Sequence, residues 1–505
     1  MPSGWGKAGL IGIAVAAVAS IPIARFVSND QAPASKKPSS SFPTPGSRAG
    51  SHMPLVAIVH PTRGPIELTS RTFADLAGGK LADWSGLGMK AGRIRVALGP
   101  SVSGASRWLA RYNVVPNEAE VMASDDAAVS AVERAPGVVG IVAASAAGPG
   151  VRTAHLDGKD PLRDPANYPV LVPGEPAGPV VTAMTLGDLI PTRTVDTIMA
   201  AKHDYLWPFR PTAARTASAD FTFGNMDSPM SAILKPRHHG TVFVTSNKVL
   251  PGFRLEGLDV ITLANNHSGN VGTPTMLETK RLLEGAGIKT AGAGANLAEA
   301  LRPAIIVRHG IRFGIMSFDS IVGGIQAHDT SPGVAMIRIK PWYPFNAGDL
   351  AVFAAAVRAA RSEVDVLIVY PHWGKEYTNV PNPEMRRVAH MLLDAGADMV
   401  IGTHGHWAGG MELYKGKLAA YELGNFVFDQ TWSQETQEGI ALELVFWGPH
   451  LMAADVVPVR IYDWGQPRFV TWDAGAGVLH RLWDGSFPPF RWLAPIEDKR
   501  GSRLP

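Results

Sequence analysis

A chain of 505 residues is long for one hydrophobic core, and domains of roughly 100 to 200 residues predict two or three of them. Its formal net charge is only +3, with Lys and Arg scattered along the sequence, which argues against a nucleic-acid partner. The sequence has no cysteine, and this excludes disulfides, thiolate metal sites, Cys nucleophiles and a lipoprotein attachment cysteine.

The N-terminus predicts export. From Ala8 to Ala24 the chain is uncharged and mostly apolar, and Lys7 and Arg25 flank this stretch. It is short for a membrane span but suits a signal sequence or membrane anchor, which we assign to residues 1–27. Either form carries the rest of the chain out of the cytoplasm, anchored to the membrane or secreted. Residues 28–53 are rich in Ser, Pro and Lys and predict a linker.

A first α/β lobe is predicted over residues 54–177. Its ordered segments are a strand at Leu55–Val59, a helix at Leu68–Leu76, a strand at Ile94–Leu98 and a turn at Ser101–Ser106 that precedes another helix.

This order of segments resembles one lobe of the phosphate-type periplasmic solute-binding proteins. Gly79-Lys80-Leu81-Ala82-Asp83-Trp84 is similar to their Gly-Lys-Ile-x-x-Trp segment, and Ser103-Gly104-Ala105 to their Ser-Gly-Thr turn. In that family the turn begins a helix, where free N–H groups favour an anion. Ala105 removes one hydroxyl, and a complete receptor needs two lobes. The resemblance therefore implies an interaction lobe, with anion sensing as the alternative.

The second domain is predicted over residues 178–505 as alternating strands and helices, which favours sheets covered by helices. After Tyr421 short strands predict a more antiparallel part. The predicted strands are Val180–Leu186, Leu258–Leu263 and Val364–Tyr370, the helices are Thr273–Glu284 and Pro383–Ala395, and a hairpin is expected at Glu412–Leu418.

Asp, Asn and His residues stand where these strands end. Because ligands of open α/β sheets collect at the carboxyl edge, these side chains are expected to converge on one pocket. They are N and O ligands for zinc, manganese or iron, and two imidazoles at i and i+2 can approach one metal from the same side. The alternative is a set of separately satisfied loop histidines and helix caps. The segments are Gly187-Asp188, Asn225-Met226-Asp227, Asn265-Asn266-His267, His372-Trp373-Gly374 and Gly402-Thr403-His404-Gly405-His406.

These motifs, together with Gly292-Ala293-Gly294-Ala295-Asn296 and Tyr421-Glu422-Leu423-Gly424-Asn425, resemble the CapA family in their order from Val180 to Gln430. That family is named for capsular poly-γ-glutamate synthesis and is similar to the calcineurin-like metallophosphatases. The resemblance implies an α/β fold of four layers, a metallophosphatase-like β-sandwich flanked by helices.

The resemblance also implies roles for individual residues and one or two divalent metal ions, Mn, Fe or Zn. His267 would be the general acid, with the capping of its own loop as the alternative role. Arg193 would bind a substrate phosphate or carboxylate, with a solvated surface position as its alternative. Asp188 and His406 would hold one metal, Asn266, His372 and His404 the other, and Asp227 would bridge them.

Three positions depart from the family pattern. Ile190 stands where calcineurin-like enzymes carry a histidine ligand, as is usual in CapA relatives. Asp227 replaces the common Glu and shortens the reach of the carboxylate. Asn270 replaces a frequent Asp and removes a charge. Each departure weakens the expectation of a site loaded with two metals.

The sequence thus predicts an extracytoplasmic CapA-like protein in the biosynthesis of a surface polymer of the poly-γ-glutamate type, acting through a metal-dependent phosphoesterase-like site. Expected partners are the membrane, through the N-terminal segment, an anionic surface polymer or phosphoester substrate, and polymer-synthase subunits. The alternative is a non-catalytic component that binds polymer or serves as a scaffold in an assembly complex.

Overall fold

The computed structural model describes residues 51–117, 120–236 and 240–491. The predicted signal or anchor segment, 1–27, lies outside the described residues, as does the linker up to residue 50. Across the ranges that are described, no helix combines the length and apolar character that crossing a membrane requires.

The first lobe is built on a five-stranded mixed sheet with strand order β3-β4-β1-β5, and β7 also pairs with β1. Its central strand β4 is buried along its whole length, which explains its run of Val, Ile and Ala. The strands are β1 (His52–Val59), β2 (Glu67–Leu68), β3 (Arg95–Leu98), β4 (Val138–Ala143), β5 (Arg152–Thr153), β6 (His155–Leu156) and β7 (Leu171–Pro173), and the helices are α1 (Ser70–Ala77), α2 (Ser106–Ala110) and α3 (Asp125–Arg134).

The first residues of one strand and one helix of the lobe differ slightly from the sequence prediction. The strand β1 already begins at His52, because its first residues pair with β7. The helix α1 begins at Ser70, since the Thr69 hydroxyl accepts a hydrogen bond from the Thr72 N–H at 3.1 Å and caps the helix.

The second domain contains two large sheets. The first has strand order β13-β12-β9-β8-β23-β24-β25, with β22 also paired to β8, and the second has order β15-β16-β18-β19-β21-β20. The strands are β8 (Val180–Leu189), β9 (Phe221–Met226), β10 (Met230–Ser231), β11 (Thr245–Ser246), β12 (Leu258–Thr262), β13 (Lys289–Ala291), β14 (Ala293–Gly294), β15 (Ala304–Arg308), β16 (Ile311–Met316), β17 (Gly333–Val334), β18 (Val366–Val369), β19 (Met399–Ile401), β20 (Ala408–Tyr414), β21 (Lys417–Leu423), β22 (Asn425–Val427), β23 (Glu438–Trp447), β24 (His450–Tyr462) and β25 (Gln466–Phe469).

Helices pack against both sheets. The helices are α4 (Thr194–Ala201), α5 (Ala213–Thr216), α6 (Leu250–Leu255), α7 (Thr273–Gly285), α8 (Leu297–Ala300), α9 (Ala347–Ala360), α10 (Pro383–Ala395) and α11 (Ala476–Asp484).

The buried side chains show four layers. Phe223 of the first sheet and Phe313 and Ile368 of the second share one interior core between the sheets. On the far side of the first sheet α4, α6 and α7 pack on a second core, and on the far side of the second sheet α9 and α10 pack on a third. The predicted four-layer α/β sandwich is therefore confirmed.

Several local predictions hold because short-range chemistry decides them. The helix α10 spans Pro383–Ala395 as expected, with the Asn382 side chain accepting from the Glu384 and Met385 N–H groups at 2.9 Å. The strands β20 and β21 form the expected hairpin, and β23 to β25 are antiparallel. One strand is longer than predicted: β8 continues to Leu189, so Asp188 lies within it.

Glu256, which follows α6, generates a prediction about stability. Its side chain is fully buried, the Thr212 hydroxyl donates to Oε2 at 3.2 Å, and Oε1 has no hydrogen-bond partner. Burial raises the pKa of this carboxyl from 4.5 to about 8. The folded protein therefore keeps a proton that the unfolded chain releases, and the stability contributed by this group is lost as the pH rises from about 4.5 to about 8.

We expect Glu256→Gln to remove this loss, which amounts to about 1.4 kcal/mol per pH unit inside that window. The measurement is the free energy of unfolding in urea at several pH values, taken as the difference between wild type and variant. Glu363→Gln, at an exposed position, is the matched control. A difference between wild type and Glu256→Gln that does not change with pH would contradict the prediction.

Candidate functional site

The ends of five strands from both sheets bring the predicted polar residues together. Asp188 lies near the end of β8, Asp227 directly follows β9, and Asn266 follows β12. From the second sheet, His372 follows β18 and His404 follows β19. The carboxyl ends of β8, β9, β12, β18 and β19 therefore share one pocket, as the strand-end rule predicts.

His372 is the centre of this pocket, and its side chain is 1% exposed. Its Nε2 lies 3.0 Å from Asn266 Oδ1, 3.2 Å from His404 Nδ1 and 3.6 Å from Asp227 Oδ1. Its Nδ1 lies 3.1 Å from the Thr403 hydroxyl. In the tautomer whose Nδ1–H donates to Thr403, Nε2 presents a lone pair to the other three groups.

The donor chemistry of this cluster fits a divalent cation. Two ligands bonded at about 2.1 Å to one metal lie about 3.0 to 3.4 Å apart, close to the separations around His372 Nε2. Asp227 Oδ1 is buried and has no hydrogen-bond partner. Among the described residues, however, His, Asp and Glu alone form no group of three arranged to hold a metal. The fit therefore depends on the amide oxygen of Asn266.

Asp188 is held by groups on both sheets. Its Oδ1 accepts from Asn225 Nδ2 at 2.7 Å, and its Oδ2 accepts from the His404 N–H at 3.3 Å. Asn225 Nδ2 also lies 3.2 Å from His372 Nδ1. Asp188 thus already has hydrogen bonds at both oxygens and fixes the start of the His-Gly-His segment.

The His404-Gly405-His406 segment has an unusual backbone at its two histidines. The positive φ angles fall on His404, at 111°, and His406, at 57°, and not on Gly405. Gly405 lies close to Glu422, and a Cβ there would lie 3.0 Å from Glu422 Cδ and would push on that carboxyl group. Glu422 Oε2 accepts from the Gly405 N–H at 2.8 Å and thereby fixes the segment.

His406 faces a different part of the pocket from His404. Its Nδ1 lies 2.9 Å from Asn425 Oδ1, and its Nε2 lies 4.0 Å from Glu376 Oε1. Asp188 and His406, the pair implied for the first metal, therefore bind different partners, whereas Asn266, His372 and His404, implied for the second, are in direct contact.

His267 is held by its neighbours in an orientation that the sequence did not show. Its ring stacks on Phe243 with centroids 4.2 Å apart, and its Nδ1 lies 2.9 Å from Asn270 Oδ1. Asn270 Oδ1 also accepts from the Phe243 N–H at 2.7 Å. Asn270, one of the three departures, thus links the ring of His267 to the residue on which it stacks.

Arg193 is already bound within the protein. Its Nε donates to Asp429 Oδ1 at 2.9 Å, its Nη2 donates to the same oxygen, and its Nη1 donates to the Gly240 carbonyl at 3.3 Å. The guanidinium also lies 5.3 Å from the ring centre of Phe243. In this arrangement Arg193 supports the residue that stacks on His267, and its role toward a substrate stays a prediction.

Burial sets the charge of the pocket. It lowers the pKa values of His372 and His404 well below the usual range, and neighbouring imidazoles lower them further. Burial likewise raises the pKa of Asp227 well above its usual range, and raises that of Asp188 to about 8 with help from Asp227. The imidazoles are therefore neutral, as metal ligation requires, and their contacts with these carboxyls are not ion pairs.

Two acidic residues of the pocket were not assigned from the sequence. Asp319 is fully buried, and Oδ2 of its side chain has no hydrogen-bond partner. It lies beside His372, because the N–H of the next residue, Ser320, donates to the His372 carbonyl at 2.9 Å. It follows β16, so the strand-end rule would have found it. Glu376 belongs to the His372 motif, and its distance from His406 depends on the fold of the loop.

The turn predicted for anion sensing in the first lobe is filled from within. The carboxylate of Asp125 accepts from the Ser101 hydroxyl at 2.6 Å and from the Ala143 N–H at 2.9 Å. The hydroxyls of Ser103 and Ser106 donate to backbone carbonyls. The lobe's own carboxylate and carbonyls use the groups that an anion would need, which favours the interaction lobe over the sensor.

Solved structures resemble parts of the chain at low identity. A hypothetical protein from Thermus thermophilus is 15% identical and is covered completely by 57% of this chain, with a TM-score of 0.34. A phosphate transport receptor from Vibrio cholerae is 16% identical, with 24% of this chain covering 55% of that chain and a TM-score of 0.21. The architecture described above rests on the strands and helices themselves.

Curated relatives are more informative. The capsule biosynthesis protein CapA of Bacillus anthracis is 27% identical over 296 residues, which is 58% of this chain and 70% of that relative. The PGA biosynthesis protein CapA of Bacillus subtilis is 28% identical over 289 residues, 56% of this chain and 72% of that relative. A probable polyglutamine synthesis accessory protein of Mycobacterium tuberculosis is 37% identical over 175 residues, 34% of this chain and 45% of that relative.

The model of the bacterial capsule synthesis protein family PGA_cap matches residues 182–430, which contain every predicted metal ligand. The order of the strand-end motifs and these relatives indicate the same family. Residues 182–430 of this chain are therefore a domain of the bacterial capsule synthesis protein family PGA_cap.

Proposed function

We propose that this protein acts outside the cytoplasm in building or modifying a bacterial surface polymer of the poly-γ-glutamate type, through metal-assisted hydrolysis of a phosphoester. The names of its relatives support the polymer, and their association with capsule supports a cell-surface location. The observation that carries the chemistry is the contact of His372 with Asn266, His404 and Asp227 at a buried strand-end edge.

In this proposal Asn266, His372, His404 and Asp227 hold the metal, and Asp188 positions the segment that carries His404. A divalent cation held there supplies Lewis-acid activation of a phosphoryl oxygen and of water. The chain's own residues supply the rest: the buried walls keep bulk solvent away from the one water molecule that attacks phosphorus, and the fixed backbone of the His404-Gly405-His406 segment keeps the pocket preorganised.

His267 is proposed as the group that gives a proton to the leaving oxygen when the ester P–O bond breaks. Burial lowers the pKa of His267, so the free protein holds the ring mostly neutral near pH 7. The negative charge of a bound phosphoester favours the imidazolium and moves that pKa upward. Stacking on Phe243 and the contact with Asn270 fix the direction in which the proton is presented.

A second candidate function is non-catalytic: the protein binds polymer or serves as an accessory component of a synthase complex. The name of the Mycobacterium tuberculosis relative, an accessory protein, favours this candidate. So does the absence, among the residues that the structure describes, of a metal-holding group made of His, Asp and Glu alone.

The proposed function predicts that the protein binds a metal ion. We expect the purified protein to bind manganese, iron or zinc, and His372→Ala to weaken that binding at least about tenfold, since His372 contacts every other proposed ligand. Metal content by mass spectrometry after equilibration and dialysis is the measurement. His450→Ala, at an exposed position, is the matched control. No bound metal in the wild type under saturating conditions would remove the metal site and leave the accessory role.

The second prediction separates catalysis from scaffolding. We expect His267→Ala to lower kcat for phosphomonoester or phosphodiester hydrolysis about 10²- to 10⁴-fold while leaving the metal content unchanged. Asn270→Ala should give a smaller loss, because it frees the His267 ring without removing it. Turnover should stop when a chelator is added. If His267→Ala retains wild-type turnover, His267 is not the acid.

A further inference from the structure

A cleft of about 850 Å³ separates the first lobe from the C-terminal strands of the second domain. The lobe contributes Thr62, Arg152 and Arg163, and the opposite wall carries Asp455, Phe469 and Trp472. Its volume lies in the range of sites for small ligands, which occur preferentially where two domains meet. The described residues that line it include no member of the candidate functional site, so the cleft needs its own explanation.

Arg152 at this cleft is an unusual cation. The residue is only 8% exposed, its Nη1 lies 3.1 Å from Asp455 Oδ1, and its Nε is buried without a hydrogen-bond partner. The guanidinium lies 4.6 Å from the ring centre of Trp472. Burial lowers the pKa of Arg152, and the nearby carboxylates of Asp455 and Glu443 offset only part of that effect. A further negative group beside this guanidinium would stabilise it.

The carboxylate of Glu443, which also lines the cleft, is fully paired. Glu443 accepts from Arg163 Nη2 at 2.8 Å and from Arg215 Nε at 2.6 Å, so two guanidinium groups share one carboxylate. This carboxylate therefore does not oppose an incoming anion as a free charge. The unsatisfied donor that remains is that of Arg152, and its forked N–H groups match the two oxygens of a carboxylate.

The walls around these charges are apolar. Val456, Phe469, Leu479 and Trp483 line the same cleft as Arg152. Such walls suit methylene groups, whereas a free inorganic anion would gain nothing from them. The combination of a buried guanidinium and apolar walls favours a carboxylate that has methylene groups next to it.

We propose that this cleft is a binding site for a glutamyl chain, with Arg152 receiving one free carboxylate of the chain and the apolar walls covering the methylene groups beside it. The proposal rests on the proposed function in one respect, the choice of a glutamyl polymer as the carrier of that carboxylate. It places polymer binding at the junction of the lobe and the domain, away from the pocket around His372.

Fluorescence anisotropy of a labelled γ-glutamyl oligomer of about ten residues tests the proposal on the full chain. We expect saturable binding, at least tenfold weaker binding by Arg152→Gln, and no measurable binding of a polyglutamine of equal length. Asp455→Asn should bind about threefold more tightly, because it frees Nη1 of Arg152. A purely structural ion pair predicts no gain from Asp455→Asn. Arg210→Gln, which removes an exposed arginine bound to Asp204, is the charge control.

Competition by unlabelled ligands identifies what the cleft recognises. Unlabelled γ-glutamyl oligomer should displace the label, whereas inorganic phosphate and free glutamate at equal carboxylate or phosphate concentration should not. Displacement by phosphate alone would overturn the choice of a carboxylate chain. Equal loss of binding in Arg210→Gln and Arg152→Gln would show general charge attraction and overturn the site.

A variant that keeps every charge covers the case in which Arg152→Gln fails to fold. Ala476→Trp, at an exposed position on the cleft wall, should block the cleft and lower affinity at least tenfold with an unchanged Tm. His372→Ala and added chelator should leave oligomer binding intact. Binding that is lost in His372→Ala but kept in Arg152→Gln and Ala476→Trp would place the polymer in the metal pocket, overturning this inference and not the proposed function.

Discussion

Exclusion of water from the strand-end pocket is the constraint on which the candidate site depends. His372, His404, Asp188 and Asp227 are all at most 1% exposed, so water does not solvate their charged forms. The imidazoles remain neutral and their lone pairs are available, while the carboxyls hold protons until a positive charge arrives. Burial therefore selects the neutral form that makes the two imidazoles ligands, whereas the carboxyls must release a proton when a cation binds.

Neutral side chains, in place of solvent, form hydrogen bonds with the buried histidines and carboxyls. Asn225, Thr403 and Asn425 each contact a histidine or a carboxyl of the pocket, and their amide and hydroxyl groups carry no charge that would need compensation. What they leave unsatisfied is informative. Asp227 Oδ1 lacks a partner in a region where an unpaired polar atom costs about 1 to 3 kcal/mol, which is the pattern expected of a group reserved for a ligand.

The two sheets must be fixed against each other for this pocket to exist. Phe223 and Phe313 fill the interior between them, and the Tyr370 hydroxyl of the second sheet donates to the Leu186 carbonyl of the first. That hydrogen bond lies two residues from His372 in one sheet and two from Asp188 in the other. Side chains placed at strand ends in this way inherit the rigidity of the sheets.

Two charged residues of the first lobe, Asp125 and Arg152, differ in whether their hydrogen-bonding groups have partners. Asp125 accepts from Ser101 and Ala143 and saturates the turn for which the sequence predicted anion sensing as an alternative. Arg152 has the opposite character, since it is buried with an N–H that no acceptor meets. Saturation makes a polar group part of the fold, whereas an unsatisfied buried donor beside a cleft indicates a ligand.

The sequence by itself determined the layered α/β class, the helix α10 with its Asn382 cap, the β20–β21 hairpin and the strand-end histidines, because local hydrogen bonds and apolar periodicity decide these features. It did not place the positive φ angles on His404 and His406, the Asn270 link to His267, the orphaned Asp319 or the pairing of Arg193 with Asp429. Each of these joins residues distant along the chain or depends on the space that a neighbour leaves. Only the packing of the two sheets, their loops and the first lobe brings such groups within hydrogen-bond reach, so tertiary structure decided which polar residues are satisfied and which remain available.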